Sequence, residues 1–204
     1  MSIYVQITTR CNMNCPHCCF NCTKEGEDMS MKTFRQALKM CDDYGKQVFI
    51  GGGEPTLHPQ FEKMLLEAIA TEEGAGIITN GSIKKRALLI AALHEKEALN
   101  YAALSMDEYH ELDKVSDEVM RAFQGHYHSV GKFKVDAIGR AKHNDVNKRK
   151  RNYCFLDNIH IRPSGDIVNC GCEDSPIIGH VGTGIDYDEL PEDNAINLCP
   201  MGGP

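Results

Sequence analysis

Hydrophobic and polar positions along residues 1–142 follow two alternating patterns. Short apolar runs typical of buried strands alternate with longer stretches in which apolar residues recur every three or four positions, as on one face of a helix. Strands are predicted at residues 3–7, 48–50, 76–79, about 100–104 and about 133–137. Helices are predicted at about 31–44, at about 60–72, after Ser82, and over a segment carrying Leu112, Val115, Val119 and Phe123. This alternation predicts an α/β fold with a parallel sheet whose site residues gather at the C-terminal strand ends.

Strands and helices in this order suit a partial (βα) barrel of about five to six parallel strands. The polar, basic segment at residues 143–152 is predicted to be a linker. Beyond it, two strand-like runs at 158–161 and 167–168 flank a Pro-Ser-Gly-Asp turn at 163–166, which predicts a β-hairpin. The predicted organisation is therefore a barrel at 1–142, the linker, and a small C-terminal hairpin module at 153–204.

Composition narrows the class of protein. A chain of 204 residues, 42% hydrophobic and 25% charged, is typical of a globular protein with one main core and a small appended module. The sequence has no apolar run long enough to span a bilayer, and its first residues lack the basic and apolar regions of a signal peptide, which predicts a cytoplasmic protein without a membrane partner. A net charge of −7 argues against nucleic acid as a partner.

Ten cysteines change this picture of an ordinary globular protein. Reducing compartments disfavour disulfides, so metal or redox roles are expected for these thiols. Cys11, Cys15 and Cys18 lie on one short loop directly after the first predicted strand. Thiolates at this spacing suit iron–sulfur ligation, and three of them leave one iron of a four-iron cluster without a protein ligand. A zinc knuckle completed by another cysteine or histidine is the alternative.

The cysteine loop resembles the signature of the radical S-adenosylmethionine (AdoMet) superfamily, C-x3-C-x2-C with an aromatic residue before the third cysteine. His17 stands at the aromatic position. The resemblance implies a [4Fe-4S] cluster that binds and reductively cleaves AdoMet, giving a 5′-deoxyadenosyl radical that abstracts hydrogen from a substrate. It also implies a flavodoxin- or ferredoxin-type electron donor.

A second register of the same spacing is Cys15, Cys19 and Cys22. We prefer the first register because it follows the strand directly and keeps His17 before the last ligand. Cys19 and Cys22 are then either loop thiols with packing roles or, as candidate catalytic residues, proton or hydrogen donors near the radical.

A glycine-rich segment, Gly51-Gly52-Gly53-Glu54-Pro55, follows the second predicted strand. Glycines allow a close approach of backbone and ligand, and a carboxylate can accept a hydrogen bond from an ammonium group. The segment resembles the Gly-Gly-Glu motif of the same superfamily, which implies that Gly52, Gly53 and Glu54 bind the methionyl amine of AdoMet. The next two strand ends also resemble the family, which implies AdoMet contacts for Asn80 and Ser105. Both residue types are also common helix caps.

The C-terminal module carries four further cysteines, Cys154, Cys170, Cys172 and Cys199. A hairpin that brings the first two together, with the later two from a return loop, could surround a second metal centre. This arrangement resembles the SPASM/twitch type of extension, which implies an auxiliary [4Fe-4S] cluster. Four thiolates satisfy structural zinc equally well.

The family resemblance favours oxidation or cross-linking of a peptide or protein side chain. The alternatives are a small-molecule substrate, as in a sugar or cofactor-precursor dehydrogenase, a glycyl-radical activase, and a zinc-stabilised binding module without enzymatic activity. His58, His126 and His128 are expected at the surface, and Arg140 receives no role.

Overall fold

A computed structural model describes residues 2–132, 134–148, 159–171 and 175–185 of the chain. The strands are β1 Ser2–Thr8, β2 Gln47–Gly52, β3 Ala75–Thr79, β4 Tyr101–Asp107, β5 Tyr127–Gly131, β6 His160–Ile161, β7 Asp166–Val168, β8 Ile177–His180 and β9 Gly184–Ile185. The helices are α1 Met31–Asp43, α2 Phe61–Ile69, α3 Lys84–Glu95 and α4 Asp117–Ala122. Short 3-10 turns lie at Pro55–Leu57, Leu112–Lys114 and Gly139–Lys142.

One sheet contains all the described strands, in the order β5-β4-β3-β2-β1-β6-β7-β8-β9. The strands from β5 across to β6 pair in parallel, and those from β6 to β9 pair antiparallel. The predicted α/β fold with a mostly parallel sheet is therefore confirmed. Its parallel strands direct their C-terminal ends to the same edge of the sheet.

Helix α1 illustrates how the sequence specifies these elements. Ser30 caps it by accepting a 3.0 Å hydrogen bond from the Thr33 N–H, which satisfies an N–H that has no partner within the helix. Phe34, Leu38 and Cys41 recur at helical spacing and are all buried in the core. Burial of a side chain such as Phe34 contributes about 1.5–3 kcal/mol, so this face holds the helix against the sheet.

The predicted hairpin is present as β6 and β7, with His160 opposite Val168 and Ile161 opposite Ile167. It continues the main sheet, because β6 pairs in parallel with β1. Its proposed metal-binding role depends on Cys154, Cys172 and Cys199, which lie outside the described residues. The domain bounds and the second metal centre thus stay predictions.

Two predicted elements are wrong in position. The fifth strand runs over Tyr127–Gly131 and not over 133–137. The prediction missed it because this strand is polar, with His128 lining a cavity, and so lacks the apolar pattern of a buried strand. The single helix predicted over 112–123 is a 3-10 turn followed by α4, because Val115 is extended and Ser116 caps a new helix.

Candidate active site

A cavity of about 610 Å³ lies where the parallel strands end. The sequence-predicted site residues that line it are Cys11, Cys15, His17, Cys18, Cys19, Gly52, Gly53, Glu54, Asn80 and Ser105. Among the described residues that were predicted as site residues, Cys22 and Cys170 do not line it. Motifs that are far apart in sequence therefore meet in one place, because each follows a strand of the same parallel sheet.

The cysteine loop brings three thiols to this cavity. Cys15 is buried, and Cys11 and Cys18 are half-buried. Burial raises the pKa of Cys11 to about 11, and burial together with repulsion from Cys11 and Cys18 raises the pKa of Cys15 to about 12. Thiolates in this position repel one another unless a cation compensates their charge. The donor set therefore suits a metal or an iron–sulfur cluster, whose binding displaces the thiol protons.

Cys18 and Cys22 form a hydrogen-bonded pair. The hydrogen bond from Cys22 lowers the pKa of Cys18, against the effect of burial. The Cys22 main-chain N–H also points to Cys18 Sγ at 3.4 Å. The same hydrogen bond and burial raise the pKa of Cys22. The Cys22 thiol also donates to the Phe20 carbonyl at 3.9 Å, so Cys22 is held within the loop by more than one contact.

The glycine-rich segment lies directly beside the cysteine loop. The Gly53 N–H donates to the Thr8 carbonyl and the Glu54 N–H to the Arg10 carbonyl, both at 2.8 Å. A Cβ at Gly53 would lie 2.3 Å from the Arg10 oxygen, and a Cβ at Gly52 would lie 2.4 Å from the Thr8 oxygen. Glycine is required here because the end of β2 approaches the backbone that leads into the cysteine loop.

The Glu54 carboxylate ties β2 to the end of β3. It is 1% exposed, and burial raises its pKa. Its Oε1 accepts hydrogen bonds from the Thr79 hydroxyl at 2.7 Å and from the Thr56 N–H at 3.1 Å. The Thr56 hydroxyl donates to the same oxygen. Its Oε2 accepts from the Asn80 N–H at 2.7 Å. Glu54 thus holds two strand ends and faces the cavity at the same time.

Asn80 connects the third strand end to the cysteine loop. Its Nδ2 lies 3.9 Å from Cys11 Sγ and donates to Asn12 Oδ1 at 3.2 Å. Its Oδ1 accepts from the Ser82 N–H at 3.0 Å. Ser105, at the end of β4, is 8% exposed and lines the same cavity.

A carboxylate–imidazole cluster at the cavity was missing from the predicted site. Asp107 is 2% exposed, and its two oxygens lie 2.8 Å from His110 Nδ1 and 3.6 Å from His17 Nε2. Burial opposes ionisation of Asp107, but His110 and His17 outweigh it and lower the pKa of the carboxyl. The three side chains place ligand atoms within 4.8 Å of one another, close enough to hold a metal ion. The spacing of Asp107 and His110, three residues apart after a strand, was the available signal.

The remaining histidine predictions have mixed outcomes. His126 and His128 are exposed, although His128 lies at the cavity. The prediction that His58 lies at the surface is wrong. Its side chain is 2% exposed, its Nε2 lies 2.9 Å from the Met29 carbonyl, and its Nδ1 accepts from the Gln60 N–H at 3.0 Å. These bonds satisfy the ring and make it part of the core.

Comparison with known protein families gives a match to the Radical SAM superfamily over residues 5–158. The chain belongs to this superfamily. A cofactor-modifying protein of tungsten-containing aldehyde ferredoxin oxidoreductase from Pyrococcus furiosus is 38% identical over 87 residues, which cover 40% of this chain and 24% of that protein. The subtilosin biosynthesis protein AlbA of Bacillus subtilis is 27% identical over 123 residues, covering 59% and 26% of the two chains. Membership of the superfamily implies a [4Fe-4S] cluster and AdoMet.

Solved structures show the same fold. The structure of BtrN in complex with AdoMet and 2-DOIA has a TM-score of 0.61 at 16% identity, covering 89% of this chain and 78% of BtrN. Native anSMEcpe with bound AdoMet and Cp18Cys peptide has a TM-score of 0.61 at 12% identity, covering 98% and 80% of the two chains. This chain spans less than half the length of its first two curated relatives, with alignments that cover 24% of one and 45% of the other. Within the described residues, no helix has the length and apolar character needed to cross a membrane.

Proposed function

We propose that this protein is a radical AdoMet enzyme that abstracts hydrogen from a peptide or protein side chain, oxidising or cross-linking it. The observation that carries the proposal is the meeting of three thiols, a glycine-rich strand end and the buried Glu54 carboxylate in one cavity. When bound, the cluster and AdoMet supply the electron and the 5′-deoxyadenosyl radical. The chain's own residues position these groups and exclude water.

The cluster ligands in this proposal are Cys11, Cys15 and Cys18. The position of the thiols supports this register over the second one. Cys11, Cys15 and Cys18 all line the cavity, whereas Cys22, the last ligand of the second register, is buried and does not line it. Cys19 lines the cavity and remains a candidate hydrogen or proton donor, while the packing role suits Cys22.

AdoMet is proposed to bind along the ends of β2, β3 and β4. Gly52, Gly53 and Glu54 would receive the methionyl amine, and Asn80, Ser105 and His17 would contact the rest of the molecule. Each of these residues lines the cavity. Asn80 lies beside both groups, because its N–H donates to Glu54 Oε2 at 2.7 Å and its Nδ2 lies 3.9 Å from Cys11 Sγ. This proximity supports a cosubstrate held beside both the carboxylate and the cluster.

The proposed peptide substrate is supported by relatives whose names describe biosynthesis or maturation, in one case of a peptide. They include AlbA, the putative peptide biosynthesis protein YydG of Bacillus subtilis, 29% identical over 119 residues, and the mycofactocin maturase MftC of Mycobacterium tuberculosis, 36% identical over 80 residues. The YydG alignment covers 53% of this chain and 36% of YydG. The MftC alignment covers 37% of this chain and 20% of MftC, and the AlbA alignment covers 59% of this chain and 26% of AlbA.

Three further parts of the proposal concern the chain's surroundings. Cys170 follows β7 and is proposed to join Cys154, Cys172 and Cys199 around an auxiliary [4Fe-4S] cluster or zinc. A flavodoxin- or ferredoxin-type protein is the proposed electron donor, and the cytoplasm the proposed location, because these thiols need a reducing compartment.

Anaerobic reconstitution followed by reduction with AdoMet tests the proposal. We expect broad absorbance near ~400 nm. The iron content should be about eight irons per chain if the chain binds two four-iron clusters, and about four irons per chain if it binds one. The wild-type chain should release 5′-deoxyadenosine, and Cys18→Ala should abolish the release. Cys22→Ala, in the same loop, is the matched control and should retain a cluster. Release from Cys18→Ala together with its loss in Cys22→Ala would establish the second register.

A further inference from the structure

Residues 138–144 lie against the cysteine loop, although more than a hundred residues separate the two in sequence. The Arg140 N–H donates to the Cys18 carbonyl at 2.8 Å, and Asn144 Nδ2 donates to the Pro16 carbonyl at 3.0 Å. A Cβ at Gly139 would lie 2.2 Å from the Cys19 carbonyl oxygen, and Gly139 has a φ of +51°. Glycine at this position therefore permits the close contact between the two segments.

The side chain of Arg140 joins the two halves of the loop. Its Nη1 donates to the Cys15 carbonyl at 2.9 Å, and its Nη2 donates to the Cys22 carbonyl. A planar guanidinium can hold two acceptors in a fixed geometry, whereas the ammonium of lysine is a single point donor on a flexible stem. Arg140 thus fixes the loop on both sides of Cys18 without being among the described residues that line the cavity.

The charge of Arg140 has a second consequence. The hydrogen bonds to the Cys15 and Cys22 carbonyls place the positively charged guanidinium beside the loop that carries the three ligand sulfurs. A cluster bound to these sulfurs becomes more negative when it accepts an electron. A nearby positive charge in a half-buried position stabilises that reduced form.

We propose that Arg140 is a positioning residue that holds the cysteine loop in its ligating geometry and raises the reduction potential of the cluster bound there. The inference rests on the proposed function, because it requires a cluster at Cys11, Cys15 and Cys18. It gives the Gly139–Arg140 segment a role in making the catalytic cluster reducible and in retaining it.

Two variants separate the charge from the geometry. Arg140→Gln removes both, and Arg140→Lys keeps the charge but not the double bridge. Arg86→Gln is the matched control, because Arg86 also bridges two carbonyls outside the cysteine loop: its Nη1 donates to Thr56 at 2.6 Å and to His58 at 3.0 Å. The reconstituted full-length proteins are titrated anaerobically with EPR detection of the reduced cluster. Iron loss to a chelator is then followed by absorbance.

We expect Arg140→Gln to lower the equilibrium constant for one-electron reduction about tenfold, a shift of about 59 mV. Arg140→Lys should stay near the wild-type potential, yet both Arg140 variants should lose iron several-fold faster than wild type and the Arg86 control. An unchanged potential in Arg140→Gln overturns the electrostatic role. An unchanged rate of iron loss in Arg140→Lys overturns the positioning role.

The outcomes distinguish this inference from the proposed function. A wild-type chain that takes up no cluster overturns the proposed function itself. A normal wild-type cluster with equal potentials and equal iron loss in all variants overturns only the role of Arg140. If Arg140→Gln retains too little cluster to titrate, the iron loss of Arg140→Lys decides. Loss at the wild-type rate contradicts the proposal, and faster loss supports it.

Discussion

The ends of the parallel strands and the C-terminal hairpin carry cysteines in different ways. At the parallel strand ends, the three proposed ligands come from a single loop whose position is fixed by β1 and whose neighbours are the ends of β2 and β3. At the hairpin, the proposed ligands are spread over a long stretch, and Cys170 alone belongs to the described residues. Ligands on one short loop need only local geometry, whereas a dispersed set depends on the path of the whole segment.

The sharpest way to break this comparison is Gly53→Ala. A Cβ at this position would lie 2.3 Å from the Arg10 carbonyl oxygen, so the end of β2 would have to move away from the cysteine loop. We expect AdoMet-dependent 5′-deoxyadenosine release to fall at least about 100-fold, equivalent to about 2.7 kcal/mol. Liquid chromatography of the released nucleoside measures it.

Gly45→Ala is the control for this prediction. Gly45 has a positive φ, which Gly53 does not, and no atom lies within 4 Å of its Cβ position. It tests strain at a glycine without contact with the site. Equal release from the Gly53 variant and wild type would contradict the proposed fit between the glycine segment and the loop.

Cys170→Ala tests the other side of the comparison. If Cys170 ligates an auxiliary four-iron cluster, the iron content should fall from about eight to about four per chain. If it ligates zinc, the zinc content should fall and the iron content should stay constant. Metal analysis of the reconstituted protein measures both. Cys41→Ala, which removes a buried thiol of helix α1, is the control, and equal metal contents in both variants would remove Cys170 from the ligand set.

The sequence predicted the parallel strand ends well because each site motif adjoins an apolar strand. Parallel pairing then brings the cysteine loop, Glu54 and Asn80 together without any information about distant contacts. The cluster at Asp107 was missed because its contact with His17 joins two distant segments, although His110 lies only three residues away in sequence. The role of Arg140 was missed for a similar reason, since its partners are carbonyl groups, which leave no signature in a sequence.

Strand β5 shows the limit of the hydrophobic pattern. Val135 in the wrongly predicted strand is buried and forms an isolated bridge with Lys148, which explains the apolar signal there. The actual strand, Tyr127–Gly131, carries the cavity-lining His128. A strand that serves a polar site loses the alternation by which strands are recognised.

Glu54→Gln tests the polar network that joins the strand ends. Both Glu54 oxygens accept hydrogen bonds, from Thr56 and Thr79 on one side and from Asn80 on the other. A Gln amide replaces one of these oxygens with an NH2 group, so at least one buried donor loses its acceptor. We expect the free energy of unfolding to fall by about 2–4 kcal/mol, and AdoMet binding to weaken. Denaturant unfolding and calorimetric titration of AdoMet measure the two effects. Thr79→Val keeps the carboxylate but removes one donor to it and the acceptor of the Gly81 N–H. Its loss should be about 1–2 kcal/mol, and equal losses in the two variants would contradict a role for the charge.

The smallest effect is expected at the hairpin, where His160 packs on the Tyr4 ring with a centroid distance of 4.7 Å. Burial, followed by the field of Arg162, lowers the pKa of His160 from 6.5 to about 4. The unfolded chain therefore binds this proton more readily than the folded one, and stability present above pH 6.5 is lost as the pH falls toward 4. Between pH 7 and pH 5.5, His160 should remove about 1 kcal/mol from the free energy of unfolding. His160→Phe keeps a ring beside Tyr4 and lacks the titrating group, so denaturant unfolding at the two pH values should show a smaller loss by that amount. An identical loss in wild type and variant would mean that β6 does not hold a neutral imidazole against β1.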